Sequence, residues 1–151
     1  MGMDVYGNAP FNEKGEYFRN NVWWWHPLWN YCLEIHPDPS EKVESGHTNS
    51  GDGLDSADSV RLGNLLRKDL ASGKVKSYEI KYNARIEKLS QEECFCCKGT
   101  GIRDDQIVKG TCNACKGDGK VNSFESNYPF AEQNVQEFSE FLVNCGGFKI
   151  C

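Results

Sequence analysis

The 151-residue sequence predicts a small, mainly α-helical α+β domain with a cysteine-rich β-hairpin inserted into it. Three observations lead there. Apolar residues recur at helical spacing in the segments 27–35, 56–72, 75–90 and 131–144. Two CxxCxGxG repeats interrupt that pattern between residues 94 and 120. After Gly146-Gly147 the chain ends in the short apolar stretch "FKIC", which suits a strand. Residues 1–93 and 121–151 are therefore expected to form a helical domain, and residues 94–120 the insert. A hydrophobic content of 38% with 12% aromatics suits a packed core rather than a disordered chain.

Residues 1–20 carry Gly, Asn and Pro punctuation and are expected to be extended or turn-rich. In "NVWWWHPLWNYCLEI", Pro27 is expected to break a continuous helix. A short helix should begin near Pro27, with Leu28, Cys32 and Ile35 on one face. Residues 37–53 form a polar loop with room for a short helical piece in its middle. The segment "GDGLDSAD" opens the next helix, with Asp55 as its cap and Asp58 in its first turn. Leu62, Leu65, Leu66 and Leu70 give that helix an apolar face, and Gly73 stops it. Tyr78, Tyr82, Ile86 and Leu89 line a following helix. Ala131, Val135, Phe138, Phe141 and Leu142 line the last one, expected to fold back with the terminal strand onto the Trp-rich segment.

The formal net charge is −5, spread unevenly: residues 1–58 carry −7 and residues 94–120 carry +2. No block of Lys or Arg is present, so binding to nucleic acid through phosphate contacts is not the favoured function. The start "MGMDVYGNAP" lacks the basic and apolar regions of a signal peptide, and no run of eighteen apolar residues occurs. A cytoplasmic protein without a membrane partner is the expectation. In that compartment eight cysteines point to metal before disulfides.

The pairs Cys94/Cys97 and Cys112/Cys115 are each followed by two glycines, Gly99/Gly101 and Gly117/Gly119. Two thiolates separated by two residues reach one ion when the chain turns tightly between them. The glycines permit positive φ and aim backbone N–H groups at the sulfurs. Two such knuckles supply four sulfurs for one tetrahedral ion, and four sulfurs select Zn2+, with iron second. The stretch "IRDDQIVKG" should form a hairpin that pairs Ile102 with Ile107-Val108 around Asp104-Asp105. A redox CxxC normally opens a helix, whereas each pair here opens a Gly-rich turn. Cys96 lies between two ligands and is read as a passenger. A four-cysteine site is closed, so it supports folding or docking rather than hydrolysis.

Cys94, Cys97, Gly99, Gly101, Cys112, Cys115, Gly117 and Gly119 resemble half of the cysteine-rich region of DnaJ-type co-chaperones, which carries four such repeats and two zinc sites. The resemblance implies one structural zinc ion here and makes a co-chaperone an alternative function. The tripeptide His36-Pro37-Asp38 is similar to the one J domains use to stimulate a partner ATPase. It lacks the basic preceding helix of that domain. The stretches "MGMDVYGNAP", "EYFRNNVWWWHPLW", "GDGLD" and "YPFAEQNVQEFSEFLVNCGGFKIC" resemble a family of small bacterial and bacteriophage proteins. That resemblance implies a bacterial or bacteriophage cytosolic setting and brings no activity with it; analogy with phage proteins of this size makes a regulator acting on a host protein complex, including inhibition of a defence complex, the expectation.

Trp23, Trp24, Trp25 and Trp29 lie within seven residues and are candidates for partner binding, because Trp dominates interface hot spots. Three consecutive residues cannot share one face, so some of them belong to the core. His26, His36, His47 and Cys32 fit no standard metal-ligand spacing. Asn49, Asp52 and Asp55 read as a capped turn rather than a calcium loop. No catalytic constellation is visible. The function expected from the sequence is a non-enzymatic, zinc-stabilised protein-interaction module, with a nucleic-acid-binding zinc knuckle as a further alternative.

Overall fold

A computed structural model of the chain describes residues 2–151. It is the mainly helical α+β fold that the sequence predicts, divided into two compact units. One comprises the residues up to Asn83 together with Tyr128–Cys151, and the other comprises Ala84–Asn127.

The first unit opens with a hairpin that the Gly and Asn punctuation conceals. Strand β1 (Gly2–Gly7) pairs antiparallel with β2 (Tyr17–Asn21), with a 3-10 turn at Glu13–Gly15 between them. In β1 the alternation is regular: Met3 and Val5 are buried while Asp4 and Tyr6 point outward. The terminal strand, β7 (Phe148–Ile150), pairs with β1 through Val5↔Ile150 and Gly7↔Phe148. The sheet order is β2-β1-β7.

Helix α1 spans Val22–Ile35 and runs through Pro27, contrary to the break expected there. A proline inside a helix removes one backbone hydrogen bond and crowds the preceding turn, at a cost of about 3 kcal/mol. Two features offset it. Asn21 caps the N-terminus, its Oδ1 accepting the Trp24 N–H at 3.2 Å. Trp25, Leu28, Trp29, Tyr31 and Cys32 are buried, and each large apolar side chain contributes roughly 1.5–3 kcal/mol. The short helical piece of the following loop is α2 (Pro37–Ser40), at the start of the loop rather than its middle.

Helix α3 (Ser56–Ala71) begins as expected, with Asp55 Oδ1 accepting the Asp58 N–H at 2.8 Å. Helix α4 covers Lys74–Glu87, and α5 covers Glu132–Asn144. Helices α3 and α5 pack closely around Gly63. A methyl group there would lie 2.7 Å from Val143 Cγ1 and 3.0 Å from Leu142 Cβ, so only glycine permits this approach. The core joins Leu62 and Leu66 of α3 to Val135, Phe138, Phe141 and Leu142 of α5. The C-terminal elements do fold back onto the Trp segment. The Phe138 ring stands edge-on to Trp25 at 5.5 Å, and Phe148 stands edge-on to Trp29 at 6.3 Å.

The second unit has four short strands: β3 (Glu92–Glu93), β4 (Ile102–Asp104), β5 (Lys109–Thr111) and β6 (Lys120–Val121). A 3-10 turn follows at Phe124–Asn127. Strand β3 pairs with β6 and β4 with β5, both antiparallel. The β4–β5 register differs from the expected one. Ile102 pairs with Thr111, not with Ile107-Val108. The cause is Asp105, whose Oδ1 accepts the N–H groups of both Ile107 and Val108 at 2.8 Å and folds them into the turn.

Candidate metal centre

The two cysteine repeats are built alike and hold each other. Each is entered by one short strand and left by another, and the strand entering one repeat pairs with the strand leaving the other. The backbone bonds are reciprocal as well. The Cys94 N–H donates to the Gly119 carbonyl at 2.9 Å, and the Cys112 N–H donates to the Gly101 carbonyl at 2.8 Å. The close contacts follow the same exchange. A methyl on Gly101 would lie 2.2 Å from the Gly117 carbonyl oxygen, and one on Gly119 would lie 2.2 Å from that of Gly99.

All four glycines have positive φ, between 71° and 95°, so the turns use backbone that L side chains avoid. The last glycine of each repeat also aims its N–H at a sulfur. Gly101 donates to Cys97 Sγ at 3.2 Å and Gly119 to Cys115 Sγ at 3.3 Å. The sequence signal CxxCxGxG thus has two physical contents. One is local, the turn around the sulfurs; the other is the approach of one repeat to its sibling.

Cys94, Cys97, Cys112 and Cys115 are all buried, and their sulfurs lie within 4.8 Å of one another. The Cys94–Cys112 sulfurs are 3.9 Å apart and the Cys97–Cys115 sulfurs 3.7 Å apart. A tetrahedral thiolate site with bonds of about 2.3 Å has edges of about 3.8 Å, so the four sulfurs are spaced to hold one metal ion. They are far beyond the about 2.05 Å of a disulfide, and all eight cysteines are free.

The thiol electrostatics are split within the cluster. The backbone N–H groups of Cys97 and Cys96 act to lower the Cys94 pKa. Burial and hydrogen bonding with the Cys97 and Cys115 thiols outweigh the N–H groups and push it up to about 11. Burial also acts to raise Cys97. The Gly101 N–H and the Cys115 and Cys94 thiols bring it below the ordinary thiol value. A divalent cation would replace the shared protons and hold all four as thiolates.

The remaining cysteines stand apart from the cluster. Cys96 and Cys151 are exposed, while Cys32 and Cys145 are buried in the core of the first unit. Burial pushes the Cys32 thiol far above its ordinary value, so it stays neutral packing material.

Of the four tryptophans, Trp25 and Trp29 are fully buried and are not surface groups. They are one helical turn apart on α1 and stack with a 4° interplanar angle. The Trp25 indole N–H donates to the Gly46 carbonyl at 2.8 Å. Trp23 and Trp24 are half-buried and reach the surface, with Trp23 packed against the Tyr128 ring.

The histidines divide into two groups that the spacing did not reveal. His26 and His47 meet Nδ1 to Nδ1 at 2.7 Å. His36 lies elsewhere, and its Nε2–H donates to the Asp69 carboxylate at 2.6 Å, the same oxygen that accepts the Tyr31 hydroxyl at 2.8 Å. The His36-Pro37-Asp38 tripeptide is therefore tied into the fold at its first residue. Asp38 is exposed and pairs with Arg61 at 2.8 Å. Asp52 accepts the Ser45 and Gly53 N–H groups, in keeping with a capped turn.

The fold and the cluster define a small α+β protein with a closed four-cysteine site able to hold a metal ion. Comparison of the chain with protein families, with curated proteins and with solved structures finds no match. No helix of the described residues is long and apolar enough to cross a membrane.

Proposed function

We propose that the chain is a non-enzymatic protein-interaction module stabilised by one structural zinc ion. One observation carries this reading: a closed, buried four-sulfur cluster lies beneath loops whose apolar side chains stand in solvent. Phe95 is 93% exposed and Ile107 86% exposed, while Cys94, next to Phe95 in the chain, and Cys112 are at 1% and 0%. Four sulfurs leave no open coordination position, so the ion would organise the loops rather than activate water. Zinc fits the all-thiolate, tetrahedral donor set, and each ligand pair follows the two-residue spacing of structural zinc sites. Large apolar groups held in solvent by a rigid scaffold are the usual anchors of protein interfaces. The bacterial or bacteriophage setting rests on the sequence resemblance alone, and a host protein complex as target on analogy with phage proteins of this size.

Elemental analysis of the purified protein tests the metal. One zinc per chain is expected, lost in Cys94→Ser together with the protease resistance of Ala84–Asn127. A protein that holds no zinc, and whose Cys94→Ser variant is as resistant as wild type, overturns the reading.

A further inference from the structure

Residues 94–120 carry Lys98, Arg103, Lys109, Lys116 and Lys120 against Asp104, Asp105 and Asp118. A zinc ion on four thiolates carries −2 and would balance the +2 of the module's other side chains, so it is the exposed surface and not the net charge of the module that is basic. Arg103 is committed within the fold, to Asp105 at 2.6 Å and to Asn113 Oδ1 at 3.0 Å. The four lysines are exposed, and among the described residues none has a carboxylate within 4.0 Å. Elsewhere four of eight lysines are ion-paired, Lys14 with Glu140, Lys42 with Asp58, Lys74 with Asp69 and Lys76 with Glu79.

Two of the unpaired lysines occupy equivalent positions, directly after the second cysteine of each repeat. Lys98 has φ 50° and Lys116 has φ 56°, and they are the only non-glycine residues of positive φ among the described residues. Left-handed backbone disfavours a lysine, and glycine or asparagine would relieve it. The turn of each repeat thus holds a lysine in backbone that costs it energy, the kind of outlier from which a role for the side chain is argued. In the same module Phe95, Ile102 and Ile107 are exposed at 93%, 65% and 86%.

We propose that this module docks an acidic polypeptide segment that also carries apolar side chains. Lys98 and Lys116, helped by Lys109 and Lys120, meet its carboxylates, and Phe95, Ile102 and Ile107 meet its apolar groups. The proposal rests on the protein-interaction reading above and specifies the partner's chemistry. A polypeptide fits better than a nucleic acid. The module has no unengaged arginine, Asp104 and Asp118 stand exposed among the lysines, and Phe95 is the one aromatic ring among its three exposed apolar groups, where base stacking along a strand uses several.

Full-length protein verified to hold zinc should be used to select from a random peptide-display library. Selected peptides are then measured by fluorescence anisotropy against wild type, a Lys98→Asn/Lys116→Asn double variant and Phe95→Ala, with a single-stranded thymidine oligonucleotide alongside. Selected peptides should be rich in Asp and Glu with interspersed apolar residues, and should weaken at high salt. The Asn double variant removes two charges while relieving the backbone, so it should keep its zinc at least as well yet bind roughly tenfold more weakly. Phe95→Ala should weaken binding to a similar degree.

Selection of neutral or basic peptides, or full affinity in the Asn variant, overturns the partner chemistry and leaves the interaction reading standing. Failure to select any peptide overturns both. An oligonucleotide that binds more tightly than the peptides overturns the proposal in favour of nucleic acid.

Discussion

Gly101→Ala provides a quantitative test of the reciprocal packing between the repeats. Gly101 has φ +75°, where an alanine costs roughly 1–2 kcal/mol. Its added methyl would also lie 2.2 Å from the Gly117 carbonyl oxygen, a backbone atom that cannot rotate away. Overpacking of this kind adds about 1–3 kcal/mol, for a total near 2–5 kcal/mol. Gly99→Ala is the internal control. Its φ is +77°, but its methyl would meet Glu93 Cγ at 2.9 Å, part of an exposed and flexible side chain. That variant carries only the backbone cost of roughly 1–2 kcal/mol.

Because a structural metal site and its fold form together, these costs appear in zinc affinity, at about 1.4 kcal/mol per tenfold. Competition with a chromophoric chelator should show roughly a 5- to 30-fold loss for Gly99→Ala. For Gly101→Ala the loss should be roughly 30-fold to more than 1000-fold, with Gly119→Ala matching it. Equal losses for Gly99→Ala and Gly101→Ala would refute the reciprocal packing.

Two further outcomes follow from the first unit. Burial lowers the His26 pKa below 6.5, and burial followed by the charge of His26 lowers that of His47. A histidine depressed in the fold stabilises fully above its unfolded value, and that contribution is lost as pH falls from 6.5 toward the folded values. Urea midpoints should therefore drop with acid from near pH 6.5 downward, and His47→Gln should flatten that slope; an unchanged slope would count against the pair. His36→Ala removes a partner from the buried Asp69 carboxylate and should cost about 1–3 kcal/mol by urea denaturation, whereas a change near zero would free His36 for a role outside the fold.

Much of the helical unit could be read from short-range periodicity. The Leu62/Leu66 face, the Asp55 cap and the Phe138/Phe141/Leu142 face appear where local spacing puts them. Pro27 misled because its helical cost is local, while the burial of Trp25 and Trp29 that offsets it is tertiary. Once α1 is known to start at Val22, the division of the tryptophans follows from helical phase alone. The β1 hairpin was hidden by its flanking turn residues, although Met3 and Val5 alternate with Asp4 and Tyr6 in full view. At the candidate site the cysteine spacing was legible. The sibling contacts were not, because Gly101 and Gly117 are neighbours only in space. The His26–His47 and His36–Asp69 partnerships were equally invisible, each joining residues more than twenty positions apart.

The reciprocal construction of the repeats also bears on how such a module changes over generations. Each repeat supplies half the sulfurs, one strand of each pair and the carbonyl against which its sibling's last glycine rests. A lone copy would keep none of these functions in a usable form. The two copies therefore form one structural unit. Within that unit a substitution at one copy is judged at the other, so the glycines after one cysteine pair are constrained by the backbone of the opposite pair.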